Sequence, residues 1–276
     1  MIWYEAIVYG VVQGLTEFLP ISSSGHLLLV PAFLGWQDPG ALFTAIVQLG
    51  TMLAVVLYFW RDLVSVGSTW VRSWGDPALR SDLNARMGWY LIIGTVPIVV
   101  LGFIFRDQVE TAARSLYVVG TTLIVFGVIL GVIDWFSRRT RPVGSVGRND
   151  AIAMGLAQAL ALIPGVSRSG ATISAGLLMG LDREAAARFS FLLSIPAIVL
   201  SGLYGLYGLY GEAGASGGGV GTGALVIATI TAFIVGYASI AFLLRWLTRH
   251  SLQVFVIYRV ALGIIVLSLA SGGLIS

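Results

Sequence analysis

Six stretches of about twenty residues, 41–60, 87–105, 115–136, 189–210, 224–244 and 252–272, carry only two charged side chains between them, Asp134 and Arg259. A helical crossing of a bilayer takes roughly 20 apolar residues, so each run is long enough for one. Inside hydrocarbon every backbone N–H and C=O must find its partner within the protein, and a helix supplies those partners locally. The runs therefore predict an all-α polytopic membrane protein with six transmembrane helices. Composition agrees: 57% of the 276 residues are hydrophobic and 11% charged, too little polar surface for a water-soluble globule of this size. Mean hydropathy is +0.92. The first residues lack the charged start and small-residue cleavage site of a signal peptide, so the N-terminal apolar segment is expected to stay in the mature protein.

Cysteine is absent, which removes disulfides, thiolate metal sites and cysteine nucleophiles together. The sequence pI is near 9.4. All sixteen basic side chains are arginine, scattered through short loops with no stripe of interleaved aromatics. That pattern argues against nucleic acid as a partner and reads as charge that sets membrane topology.

Residues 6–35 return 145 positions later as 151–180. Without gaps the identical pairs are Ala6/Ala151, Ile7/Ile152, Gly10/Gly155, Gln13/Gln158, Leu15/Leu160, Ser22/Ser167, Ser24/Ser169, Gly25/Gly170 and Gly35/Gly180. Chance agreement of Gly and Ala is common in membrane chains, so the two Ser-x-Ser-Gly matches carry most of the weight. Segments 3–35 and 149–180 are each long enough for one and a half crossings but break mid-run at Pro and Ser-Gly clusters. They predict two re-entrant helical hairpins. Irregular backbone at membrane depth needs cover from protein or a water-filled cavity, so the breaks are expected to line a cavity. The chain is then one membrane domain, 1–276, made of repeat halves 1–145 and 146–276.

A hairpin that enters and leaves on one side, followed by three crossings, turns the second half upside down, so the repeat is expected to have inverted topology. One side would carry Arg61, Arg72, Arg80, Arg86, Arg138, Arg139, Arg141, Arg148, Arg183, Arg188, Arg245 and Arg249, and the other only Arg106 and Arg114. Twelve against two puts the first side in the cytoplasm. Both termini then face outward, and the glycine-rich stretch 211–223 becomes an external loop. Arg114 and Arg259 share the same 145 offset. Arg259 lies about two turns inside the last run, where a charge costs on the order of 2.5–3.5 kcal/mol on insertion scales, so it is expected to pair with carbonyls or to snorkel.

Almost all remaining ionisable groups at membrane depth sit in the two broken segments: Glu17, His26 and Arg168. Gln13 and Glu17, at i and i+4, share a helix face, as do Ser23 with His26 and Arg168 with Thr172. The helices that follow the breaks bring unpaired N–H groups and their positive dipole ends to the midplane. With Arg168 between Ser167 and Ser169, this describes an anion site best suited to phosphate. Arg168 can give two parallel hydrogen bonds to phosphate oxygens, and Ser167, Ser169 and Thr172 add neutral donors. Glu17 is repelled by phosphate as a simple binder. Holding a divalent cation, Mg²⁺ or Ca²⁺, or taking a proton from Ser23 suits it better. His26 is a candidate general acid, general base or nucleophile. Gln48, in the first full crossing, reads as an interhelical hydrogen-bonding residue.

Gln13-Gly-Leu-Thr-Glu17-Phe-Leu-Pro-Ile-Ser22-Ser23-Ser24-Gly25-His26, together with Pro164-Gly-Val-Ser167-Arg168-Ser169-Gly-Ala-Thr172, resembles the signature of the integral-membrane undecaprenyl-pyrophosphate phosphatases of the bacitracin-resistance type. The likeness extends over nearly the whole chain. It implies hydrolysis of undecaprenyl diphosphate to undecaprenyl phosphate and inorganic phosphate at the outer face of a bacterial inner membrane, recycling the lipid carrier for cell-wall synthesis. Partners would be the polyprenyl diphosphate and membrane lipid, and a homodimer is compatible. By the same resemblance Ser23 matches the nucleophile and Glu17 the acid that activates it or binds metal. His26 matches the family histidine, and Arg168 and Thr172 the phosphate clamp. Gln13 and Ser22 complete the expected phosphate-binding set with Ser167, Arg168, Ser169 and Thr172. Gln13 departs towards a less acidic variant, which weakens chelation of metal by two carboxylates of this helix. The rival reading is a transporter of polyprenyl phosphate or another anion, because inverted repeats with broken helices and a midplane site also serve carriers.

Overall fold

The structure is a computed structural model that describes residues 1–105, 108, 115–212 and 221–275, without the side chains of 41 and 203–212. Among these residues are eleven α-helices: α1 (Trp3–Phe18), α2 (Ser23–Leu34), α3 (Gly40–Tyr58), α4 (Trp60–Gly75), α5 (Leu83–Ile104), α6 (Leu116–Phe136), α7 (Arg148–Ala159), α8 (Arg168–Leu178), α9 (Arg183–Glu212), α10 (Thr222–Leu247) and α11 (Gln253–Ser271). No strand forms among the described residues. Helices α5, α6, α10, α11 and the 183–202 part of α9 are each long and apolar enough to cross a membrane. The chain is thus a multi-pass membrane protein.

The expected first run, 41–60, is the one that differs. It ends at Tyr58, and the chain bends by 74° into α4, so the two helices count as a sixth span only as a broken pair. Helix α4 was not expected from the sequence. It forms because Leu63, Val66 and Trp70 recur at helical spacing and pack inward, while Arg61 and Arg72 stay exposed. Trp70 sits edge-on to Trp89 of α5 at 5.4 Å between ring centroids. An amphipathic helix of this kind suits the membrane interface plane. Arg106, Arg114 and residues 213–220 of the expected external loop lie outside the described residues.

Both broken segments stop for the same reason. Proline disfavours the α conformation in the residue before it. Leu19, before Pro20, is extended (ψ 142°), as is Ile163 before Pro164 (ψ 118°). Each chain then passes through a serine in the positive-φ region, Ser22 at 77° and Ser167 at 72°. L residues avoid this region, and the two serines share it with only Arg139 among the described non-glycine residues. The strain is offset by capping: Ser22 Oγ accepts from Gly25 N at 3.3 Å and Ser167 Oγ from Gly170 N at 3.1 Å. The next helices, α2 and α8, start there.

After its break each segment doubles back. Trp36, just beyond α2, packs its ring on Tyr4 and Tyr9 of α1. Met179 O, beyond α8, accepts from Arg141, which also holds Asp150 at the start of α7. The repeat partners Gly10 and Gly155 do the same work in each half. A Cβ on Gly10 would stand 2.5 Å from Ala228 O of α10, and one on Gly155 2.4 Å from Gly94 O of α5. Only glycine lets those backbones approach so closely. At one face, ion pairs Arg183–Asp134, Arg188–Asp62 and Arg141–Asp150 gather the ends of α6, α9, α4 and α7. Asp134 is buried and also accepts from Leu252 N at the start of α11.

Candidate active site

The two serine-glycine turns meet in the interior, and Glu17 is the point where they join. Its side chain is 4% exposed and that of Arg168 is 14% exposed. Arg168 Nη2 donates to Glu17 Oε1 across the two halves of the chain. Glu17 Oε2 accepts from Ser23 Oγ at 2.7 Å and from Gln13 Nε2 at 3.0 Å. Gln48 Nε2 on α3 donates to Oε1 at 3.3 Å. Four donors thus converge on one buried carboxylate and serve both its oxygens.

Ser23, the repeat partner of Arg168, faces it across Glu17. A cavity of about 540 Å³ opens on this cluster, with Thr16, Glu17, Ser22, Ser23, Ser24, Gln48, Ser167 and Arg168 at its polar end. The rest of the lining is mainly apolar, formed by Ile98, Val99, Gly102 and Phe103 of α5, Ala161 and Leu162 beyond α7, and Ala197 and Leu200 of α9, with the hydroxyl of Ser201 bonded to its own helix at Ile198 O. Phe103 is 85% exposed and Leu200 49% exposed on the helix surfaces beside it. The cavity therefore runs from buried charge towards the lipid-facing surface between α5 and α9.

Several expected site residues stand further back. His26 does not line the cavity. Its Nδ1 meets Ser22 O and its Nε2 meets Tyr258 OH on α11, both at 2.7 Å, with the two rings stacked at 8°. Thr172 Oγ1 donates to Arg168 O at 2.8 Å and lies against Ser190 Oγ on α9. Ser169 Oγ donates to Leu19 O at 3.1 Å, a direct tie between the two turns. Ser22 and Ser167 line the cavity, but their hydroxyls also cap the helices that follow. Gln13 is buried behind Glu17, with Thr51 Oγ1 at 3.4 Å.

Arg259 pairs with carbonyls, as expected, and it does so at the junction. It is fully buried. Its guanidinium donates to Gly165 O at 2.9 Å, Val166 O at 3.0 Å and Pro20 O at 3.2 Å, and to Leu123 O and Thr122 O of α6 at 3.3 and 3.4 Å. One side chain of α11 thus holds both turns and α6. Gln48 makes the interhelical hydrogen bond expected of it, whereas Tyr258 and Ser190 had no local signal, since each acts through a residue on a distant helix.

No group of three or more His, Asp or Glu suited to a metal ion occurs among the described residues. Among the described residues Glu17 is the one carboxylate lining the cavity, and both its oxygens are engaged beside the Arg168 cation. The side chains alone do not make a resident metal site. They fit an ion that arrives with phosphate, since Mg²⁺ is commonly held by one or two carboxylates plus substrate phosphate oxygens.

Fold and site define a polytopic helical membrane protein with an acid–serine–arginine cluster buried where two serine-glycine turns meet, reached through an apolar cavity. Residues 6–265 match the family described as bacitracin resistance protein BacA. The chain is 52% identical to an undecaprenyl-diphosphatase of Thermobifida fusca (strain YX) over 99% of its own length and 91% of that protein's. It is 51% identical to one of Nocardioides sp. over 99% and 98% of the two chains, and 49% identical to one of Mycobacterium sp. (strain KMS) over 100% and 99%. The chain belongs to the BacA family.

Proposed function

We propose that this protein removes the terminal phosphate of undecaprenyl diphosphate, releasing undecaprenyl phosphate and inorganic phosphate at the outer face of the inner membrane and so returning the carrier to cell-wall synthesis. The observation that carries the reading is the 2.7 Å hydrogen bond from Ser23 to Glu17, beside Arg168, at the polar end of a cavity whose far wall is apolar. The names of the relatives supply the substrate. A polyprenyl tail would lie along Ile98, Val99, Gly102, Phe103 and Leu200, with the diphosphate against the two turns.

Phosphate binding draws Arg168 from Glu17 to the phosphate oxygens, where its fork can bind two at once. Glu17 Oε2 then takes the Ser23 proton as Ser23 Oγ attacks the terminal phosphorus. The bond to the bridging oxygen breaks, lipid monophosphate leaves with that oxygen's charge, and Ser23 carries the phosphoryl group. Once Glu17 has released the Ser23 proton to solvent, it takes one from a water whose oxygen attacks the phosphoserine phosphorus; the bond to Ser23 Oγ breaks, Glu17 returns the proton to that oxygen, and inorganic phosphate leaves. Fixed positive charge from Arg168 and the starts of α2 and α8 stabilises the transferring group. Glu17 would hold a Mg²⁺ or Ca²⁺ ion carried in by the diphosphate, and such an ion would neutralise phosphate charge.

We read the two halves, 1–145 and 146–276, as an inverted repeat whose α1–α2 and α7–α8 pairs are re-entrant hairpins. In support, α1, α2, α7 and α8 have 16, 12, 12 and 11 residues. At about 1.5 Å per residue none spans the roughly 30 Å hydrocarbon core. The exchanged pairing of α1 with α10 and α7 with α5 also fits inversion. The arginine count supports termini on the outside, and the lining of the cavity by residues 98–103 at the C-terminal end of α5, next to the expected external loop, supports a mouth on that side.

The test uses purified protein in detergent, where transport has no meaning. The unaltered chain is expected to release phosphate from undecaprenyl diphosphate, with Glu17→Gln and Arg168→Gln each reducing release at least 10³-fold while melting as a folded protein. Repeating it with EDTA measures the ion's share. Binding of the lipid without phosphate release would favour the transporter instead.

A further inference from the structure

A second groove, of about 620 Å³, lies at the opposite end of α8 from the cavity described above and shares no residue with it. It runs between the C-terminal ends of α6 and α8. Val132, Ile133 and Phe136 form one wall and Leu178, Met179 and Gly180 the other, closed at one end by Ser137, Arg138, Thr140 and Arg141. The apolar part opens to lipid, with Val132 52%, Phe136 78% and Leu178 68% exposed. The basic part lies on the arginine-rich face.

Of the acids nearest in the chain, Asp150 is ion-paired with Arg141 and accepts from Gly147 N, Asp134 is ion-paired with Arg183 and accepts from Leu252 N, Asp182 caps the start of α9 by accepting from Ala185 N, and Glu184 is exposed one turn beyond the groove wall. Arg138 is exposed and makes no hydrogen bond or ion pair with a described residue. The Ser137 hydroxyl is buried and has no hydrogen-bond partner among the described residues, although the residue lines the groove. Arg139 takes a positive φ of 51° and donates from Nε to Ser137 O, fixing the turn that places Arg138 and Thr140 at the mouth. Positive charge without an ion-pair partner and an apolar trough continuous with the membrane match a lipid with an anionic head.

We infer that this groove binds an anionic phospholipid of the arginine-rich leaflet, its phosphodiester at Arg138 and Thr140 and its acyl chain along Val132, Phe136 and Leu178. An interfacial arginine near an anionic headgroup contributes enough to change binding about five-fold. The pocket size matches a headgroup with its glycerol.

The full-length protein, delipidated in detergent and titrated with phosphatidylglycerol or phosphatidylcholine, is measured by native mass spectrometry. The expected result is preferential retention of one phosphatidylglycerol, weakened about five-fold by Arg138→Gln and left unchanged by Arg249→Gln, which removes the same charge from the same face outside the groove. Equal affinity for the two lipids, no effect of Arg138→Gln, or equal loss in both variants would overturn the assignment. None of these residues belongs to the phosphate cluster, so the outcome is independent of the proposed hydrolysis.

Discussion

Replacing Arg259 by methionine tests whether one buried cation holds the two turns in register. Methionine roughly preserves the length of the side chain and leaves three turn carbonyls, Pro20 O, Gly165 O and Val166 O, without the donor they have at 2.9–3.2 Å. A buried carbonyl left unserved costs about 1–3 kcal/mol. Polar contacts within membranes measure lower, averaging about 0.6 and reaching about 1.7 kcal/mol, and removing the guanidinium also relieves its own desolvation. The net loss for three carbonyls is then about 2–5 kcal/mol, or a melting temperature lower by roughly 5–15 °C. Activity should suffer more than stability. Ser23 and Arg168 lie within three residues of the carbonyls that would shift, and a misplacement of about 1 Å at a reacting group costs on the order of 10²-fold in rate. Thermal melting and phosphate release, measured on the same detergent preparation, read the two effects. Arg259→Lys keeps the charge but not the forked reach and should fall between. An Arg259→Met protein that melts with the unaltered chain and turns over within two-fold of it would refute the reasoning.

Two further outcomes follow from the packing and the topology. Gly155→Ala places a methyl 2.4 Å from Gly94 O, backbone against backbone, and should lower the melting temperature in detergent by at least several degrees, whereas Gly67→Ala meets nothing within 4 Å and should not. With no native cysteine in the way, Gly75→Cys and Gly221→Cys, both in open space, should label from opposite sides of intact cells, and labelling from one side would remove the inverted reading.

How legible this was in the sequence depended on how local the signal is. Runs 115–136 and 252–272 became Leu116–Phe136 and Gln253–Ser271 almost unchanged, because lipid exposure selects apolar composition at every position. Pro20 and Pro164 announced the breaks, since proline acts on its own neighbour. Helix α4 was missed because its Trp and Arg residues break the hydropathy, and only the spacing of Leu63, Val66 and Trp70 marks it. At the site, Glu17 and Arg168 stood out as charges in apolar runs. What could not be read was direction: His26 turns to Tyr258, 232 residues away, and Gln48 turns to Glu17, 31 residues away. The apolar wall of the cavity was invisible for a different reason, being no more apolar than the lipid-facing surface around it.

In the proposed reaction Ser23 is the group that receives the phosphoryl. Its most direct measurement is the rate of phosphate release from undecaprenyl diphosphate by purified Ser23→Ala in detergent, beside the unaltered protein. A fall of at least 10³-fold with the melting temperature preserved is the predicted result. Turnover within ten-fold of the unaltered protein would contradict it.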